Sequence, residues 1–400
     1  MARFAIAFSQ AIDPPIMADE LADMVEASLS CQESIVGGLI LATEASGRAG
    51  VEVGRRLGAR WQTAGFAGTT FEGVLARGRI HRDEPAMILL AWSGAPDESG
   101  PMPFALDPEE SFAERVSETI LELAGRSSLE AGDLILLFPD AHGAGGVEEM
   151  LGDLGSRLGP ASVAGAGATG IDGHEVAAFL GDDEMPGAMI GLVIPSSNEA
   201  PSLAGGPLVR CAEATRSASP WLEITKCRPR WIDELDGEPA LDWVRRQLGL
   251  EAEDAIEPHL DRLLARVRKR SAAGADHESG SCDERYIVGL DNRRGSLSWP
   301  GSFASGDHLA LALPDGPLAR AALRSAIDDL RASPLVLQFA CRARDEALHG
   351  DPDLESAWVA HSARDRAVIG TVAPFQIAMG DREPCRMLVH STVLAALGRS

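Results

Sequence analysis

The sequence predicts an α/β protein: two domains of mixed sheets flanked by helices, built from a repeated strand–helix–strand–strand unit. Three observations carry this. Short leucine-rich runs bounded by turn residues suit strands buried on both faces. Stretches with apolar residues at helical spacing follow those runs. The same order then recurs three times along 400 residues, a length that calls for more than one domain.

The first copy opens with GGLILA at 37–42 and continues through GVEVGRRLGARW and TAGFAGTTFEG to EPAMILLAW at 84–92. The second opens with GDLILLF at 132–138 and runs through GGVEEMLGDLGSRLG and SVAGAGATGIDG to MPGAMIGLVI at 185–194. The third opens with PLVLQFAC at 334–341 and continues with PDLESAWVAHSARD, AVIGTVAPFQIAMG and EPCRMLVHSTVLAAL. Each third piece reads as a strand broken at a glycine: Gly65, Gly165 or Gly370. Each copy closes on a Pro-led turn and a strand carrying Met87, Met189 or Met387.

SVAGAGATG contains G-x-G-x-x-G at Gly165, Gly167 and Gly170. A dinucleotide site needs a strand before this pattern and a helix directly after it. IDGHEVAAFLG follows instead, with turn residues at Asp172 and Gly173 and an alternating apolar stretch, so it reads as strand–turn–strand. The glycines are read as close-packing positions, and no cofactor is expected.

SSNEAPSLAGGP at 196–207 marks a boundary between domains at 1–203 and 204–400. KRSAAGADHESGSCDE, 269–284, reads as a mobile surface loop. Between them, ITKCRPRWIDELDGEPALDWVRRQLG reads as a strand, a turn at Asp236 and Gly237 with Asp236 as helix cap, and a helix beginning near Pro239. RYIVGLDNRRGSLSWPGSFASGDHLALAL reads as a strand meander, and PLARAALRSAIDDLRAS as the helix leading to the third copy.

A formal net charge of −24 speaks against nucleic-acid partners, whose phosphates demand basic stripes, and against anionic membrane surfaces. No apolar run reaches membrane-spanning length and MARFAIAFSQAIDPP does not read as a signal peptide, so no membrane insertion and a cytoplasmic location are expected. Six cysteines without C-x-x-C spacing suit reduced thiols rather than a zinc site; no metal is expected.

At IDELDGEPALDWV, at the meander that follows, at LVLQFACRAR with its Cys-x-x-Arg ending, and at GDLILLF with SVAGAGATG, the chain resembles the FIST proteins, named for F-box and intracellular signal transduction. The resemblance runs from about residue 5 to 397. It implies a FIST N-like and a FIST C-like domain and a sensory role in binding a small polar ligand, such as an amino acid or a related metabolite. It also implies a standalone sensor or metabolic accessory, and a signalling protein partner or a homodimer is the company expected. Where the family has a Gly-Glu-Ile-like triplet, this chain has Phe375, Gln376 and Ile377, so Gln376 offers a hydrogen bond without charge.

Cys341, Arg342 and Arg344 stand where an apolar strand ends, the end at which α/β sheets gather ligands. Two arginines there suit a carboxylate or phosphate and would lower the pKa of a neighbouring thiol. His390, on the final strand, is the candidate base for Cys341 in the alternative reading, an enzyme with Cys341 as nucleophile. Thr69 and Thr70, with Glu72, offer hydroxyls and a carboxylate to a ligand, and Asp140 and His142, which follow the second copy's opening strand, are candidates to bind a metal or a ligand. A protein-interaction scaffold is the remaining alternative.

Overall fold

The computed structural model describes residues 3–29, 34–94, 100–170, 175–196, 209–251, 254–270, 282–330, 334–363, 366–380 and 384–397. The loop expected at 269–284, the turn at Asp172 and Gly173, and the stretch at 196–207 fall largely outside these residues.

The chain forms β1 (Arg3–Ser9), α1 (Pro14–Ser28), β2 (Ile35–Thr43), α2 (Ala49–Trp61), β3 (Phe66–Phe71), the hairpin β4 (Gly73–Ala76) and β5 (Arg79–Arg82), and β6 (Met87–Ser93). The same order returns as β7 (Met102–Leu106), α3 (Ala113–Ala124), β8 (Leu134–Phe138), α4 (Ala144–Leu158), β9 (Ser162–Ala166), the hairpin β10 (Phe179–Leu180) and β11 (Asp183–Glu184), and β12 (Met189–Ile194). A third round opens with β13 (Val209–Glu213) and is then interrupted. The interruption contains β14 (Thr215–Ser217), β15 (Leu222–Arg228), β16 (Trp231–Leu235), β17 (Glu238–Pro239), α5 (Ala240–Leu248), β18 (Leu264–Arg268), β19 (Asp283–Tyr286), β20 (Gly289–Asp291), β21 (Ser296–Ser298) and β22 (His308–Pro314). The third round resumes with α6 (Gly316–Asp329), β23 (Leu335–Cys341), α7 (Glu346–His349), α8 (Leu354–Ala363), β24 (Ala367–Ala373), the hairpin β25 (Gln376–Met379) and β26 (Arg386–Leu388), and β27 (Ser391–Leu397).

Two compact units result: residues 1–213 with 320–400, and residues 214–319. The boundary expected at 203/204 is therefore displaced. All three repeats belong to the first unit, and the second unit is an insertion within the third repeat. The insertion is a single antiparallel sheet with α5 packed on it, around buried Trp243, Trp299 and Leu241. Asp236 does not cap α5: its carboxylate accepts from the Glu223 N–H at 2.8 Å, and the N-cap position is Pro239.

The first unit holds three six-stranded sheets with one connectivity. In each, the opening strand (β1, β7 or β13) pairs antiparallel with the closing strand (β6, β12 or β27). The closing strand pairs antiparallel with the central strand (β2, β8 or β23), which pairs parallel with the glycine strand (β3, β9 or β24). The final pair of strands is borrowed. The β10–β11 hairpin completes the first repeat's sheet, β25–β26 the second's, and β4–β5 the third's. The three repeats thus exchange hairpins in a closed cycle.

Burial explains why the central strands read as unbroken apolar runs. Every residue of β8 is buried. One face of each sheet packs into a shared core containing Leu41, Phe138 and Phe339, and the other face packs under that repeat's own helices. In α1, Met17, Leu21 and Val25 face the sheet at four-residue spacing, after an Asp13 cap and Pro14 at the first turn.

The glycine strands need their glycines for close approach. A Cβ on Gly165 would stand 1.9 Å from the Leu137 carbonyl oxygen, and one on Gly370 would stand 1.7 Å from that of Gln338. Their counterpart by register is Gly68, opposite Ile40, and not Gly65, which precedes β3. Gly167 lies flat on the Phe375 ring, where a Cβ would meet the ring at 2.6 Å. After Gly170, the described residues 175–178 are irregular and lead into the β10–β11 hairpin.

Candidate functional site

Sheet register makes equivalent positions comparable across the repeats. Leu41, Phe138 and Phe339 are counterparts, as are Thr43, Asp140 and Cys341 one pleat further on. These strand ends come together. The Thr169 N–H donates to the Thr70 carbonyl at 2.9 Å and the Gly167 N–H to the Phe375 carbonyl at 3.0 Å. The Phe71 and Phe138 ring centroids lie 5.5 Å apart, and those of Phe138 and Phe339 5.8 Å apart. The carboxyl ends of the parallel strands from all three repeats therefore meet around one core.

The third repeat differs from the other two at this end. Ser391 stands where the first two have Ala86 and Ala188, and Thr392 where they have Met87 and Met189. The expected counterpart Met387 instead lies in the exchanged hairpin. Gln376 occupies the place of Val74 and Ala178, and Gln338 the place of Ile40 and Leu137. Polar groups in buried positions cost stability unless they are hydrogen-bonded. Two apolar versions of the same scaffold show that the fold does not require them here.

These groups divide by face. Strand alternation sets Cys341 and Ser391 in phase with the shared-core residues Phe339 and Val393. Gln376 is in phase with Ala378, Thr371 with Ile369 and Ala373, and Thr69 with Ala67 and Phe71. All five are at most 2% exposed. The Ser391 hydroxyl donates to Gln376 Oε1 at 3.0 Å, and Gln376 Nε2 donates to the Ala373 carbonyl at 3.3 Å. The hydroxyls of Thr69 and Thr371 have no hydrogen-bond partner. Buried unpartnered groups of this kind call for a missing partner such as water or a ligand.

The opposite face holds a buried ionic network. Arg344 Nε lies 2.9 and 3.0 Å from the two Glu355 carboxylate oxygens, and its Nη1 donates to the carbonyls of Ala212 at 3.0 Å and His390 at 3.1 Å. Glu355 also contacts His349 Nε2 at 2.7 Å and accepts from Thr392 at 2.8 Å. Burial alone would raise the Glu355 pKa, but the Arg344 charge and the hydrogen bonds from His349, Arg344 and Thr392 outweigh it and hold the carboxyl below its ordinary range. Arg344 is thus spent on Glu355 and on the backbone. It secures the turn at His390, whose φ of 49° is unusual for a residue with a Cβ.

The structure brings Thr69, Cys341 and Gln376 to the shared core and assigns other work to the remaining expected residues. Thr70 is held in place, its hydroxyl donating to the Thr169 carbonyl at 2.6 Å. Arg342 lies at the rim, paired with Glu72 at 2.6 Å. Asp140 accepts from the His142 N–H at 2.9 Å. The Cys341 thiol is buried 3.7 Å from the Pro374 carbonyl oxygen. Burial pushes its pKa up, against the N–H groups of Ala343 and His390 and the charges of Arg344 and Arg342, so the sulfur stays protonated at neutral pH. Burial and the Arg344 charge push the His390 imidazole down to about 4. It is neutral at physiological pH.

Thr371, Ser391, Glu355 and His349 do not stand out in the sequence. Thr371 had a signal, because it holds the position of Thr69 one repeat over. Among the described residues there is no cluster of three or more His, Cys, Asp or Glu able to hold a metal ion. Nor is any helix among them long and apolar enough to cross a membrane.

No family model matches the chain, and no curated protein matches it. Among solved structures, it resembles a cyanuric acid hydrolase from A. caulinodans, 8% identical over 100% of both chains with a TM-score of 0.39. A second cyanuric acid hydrolase structure, described as an evolutionary innovation by structural concatenation, is 11% identical over 100% of both chains with a TM-score of 0.34. Likeness at that level carries no argument about what this chain does. The mixed α/β architecture stands on its own sheets and helices.

Proposed function

We propose that this chain binds a small polar molecule at the carboxyl ends of its central strands, and that it does so as a sensory protein of the kind the FIST resemblance implies. One observation carries the reading. The third repeat has Ser391 and Gln376 where the other two keep apolar side chains, in phase with the same shared core as the unpartnered hydroxyls of Thr69 and Thr371. Ligands of open α/β sheets gather at this end of the strands. A site that gives up stability for polar groups it does not need for folding is the usual mark of function. Arg344 is no longer among the proposed contacts, since Glu355 and two backbone carbonyls occupy it.

A thermal-shift screen of small polar metabolites, run on the wild type and on Gln376→Val, tests the reading. The expected result is a stabilising compound whose effect disappears in the variant. A hit that stabilises both proteins equally, or a broad panel with no hit, overturns it.

A further inference from the structure

The proposed site also limits the charge of what it binds. Every buried group that the described residues turn inward is neutral. Thr69, Thr371 and Ser391 carry hydroxyls and Gln376 an amide, while burial keeps the Cys341 thiol protonated. The arginines that could have met an anion are matched elsewhere: Arg344 by Glu355 on the opposite face of the sheet, and Arg342 by Glu72 at the rim. The buried His390 imidazole carries no charge at neutral pH. Asp140, the counterpart of Cys341, is 21% exposed and accepts from the His142 N–H, and among the described residues no buried carboxylate is in phase with the shared core, so a cation finds no counter-ion there. An ion entering this core would lose its hydration without a partner, which is the most expensive form of burial. A neutral molecule with a carbonyl and an N–H loses far less. It can accept from a threonine hydroxyl and from the second Gln376 N–H, and donate to the other hydroxyl.

Resting on the site proposed above, we infer that the ligand is an uncharged, amide-like molecule carrying both donors and acceptors, and not an amino acid, carboxylate or phosphate. The walls agree with this. Phe71, Phe138 and Phe339 belong to the same core cluster and pack on one another, so the surroundings of the hydroxyls are apolar. The formal net charge of −24 disfavours the approach of anions as well.

The test uses three probes with one carbon skeleton, propionamide, propionate and n-propylammonium, and follows saturation-transfer NMR on the full chain. The expected result is transfer to propionamide alone, lost in Thr69→Val/Thr371→Val, whose fold is checked by its near-UV circular dichroism. If that double variant does not fold, Gln376→Val takes its place with the same expected loss. Transfer to propionate or propylammonium that the variants abolish overturns the uncharged-ligand inference and leaves the site standing. If no probe shows transfer sensitive to these substitutions, the site itself falls.

Discussion

Arg344 and Arg342 are two residues apart and have opposite roles. Arg344 is buried with its charge matched by Glu355, and removing one member of such a pair leaves the other buried and unpaired. Arg344→Ala should therefore cost about 3–5 kcal/mol in urea unfolding. Arg342 is 58% exposed, and its pairing with Glu72 is the surface kind. Arg342→Ala should cost less than about 1 kcal/mol. His390 gives the chain an acid limit. Its folded pKa of about 4 lies below the ordinary value of 6.5, so the unfolded chain takes up this proton first as pH falls. The stability it contributes is complete above pH 6.5 and is lost on the way down to pH 4, to the extent of about 3 kcal/mol. The depressed Glu355 carboxyl acts in the same direction at still lower pH. His390→Asn suits the positive φ and should flatten the unfolding profile between those limits; an unchanged slope would assign the acid sensitivity elsewhere. Thiol reactivity separates the cysteines in the same way. Cys341 and Cys385 are buried and their pKa values raised, that of Cys385 to about 12, so iodoacetamide should label them after the partly exposed Cys211, Cys227 and Cys282.

At the scale of elements, the glycine strands are the least tolerant parts of the fold. Gly165→Ala or Gly370→Ala drives a methyl into a backbone carbonyl of the neighbouring strand, and neither variant should yield folded protein. Gly152→Ala, inside α4 with open space around it, should instead stabilise the chain by up to about 1 kcal/mol. Equal effects at the two kinds of site would contradict this packing. The glycines and the buried central strands are legible in the sequence because their causes are local: an apolar run, a helical spacing, a residue without a side chain. The hairpin exchange is not legible. It depends on β4 meeting β24 and on β25 meeting β9, partners far apart in the chain, and no local pattern records which sheet a short hairpin joins. The site is legible by half for the same reason. Thr69, Cys341 and Gln376 can be picked from their motifs, whereas Ser391 gains meaning only when register sets it beside Ala86 and Ala188.

For the whole molecule, the exchange means that no single repeat can complete its own sheet. A fragment of residues 1–203 contains two repeats yet lacks β25–β26, which closes the second sheet. It should be insoluble or unfolded by circular dichroism. The insertion is the separable part. Its ends meet where the Asp315 N–H donates to the Ala214 carbonyl at 2.7 Å, so replacing residues 215–314 by a short glycine–serine link should leave the three-repeat unit cooperatively folded. Over the same threefold scaffold, the polar groups of the third repeat stand out as additions that the fold itself does not demand. Urea unfolding of Gln376→Val/Ser391→Ala, which gives the third repeat the residues found at Val74 and Ala86, tests that most directly. Because both hydrogen-bond partners are replaced together, the account predicts a midpoint equal to or above that of the wild type. A loss of about 2 kcal/mol or more, the size expected when a needed buried network is broken, would contradict it.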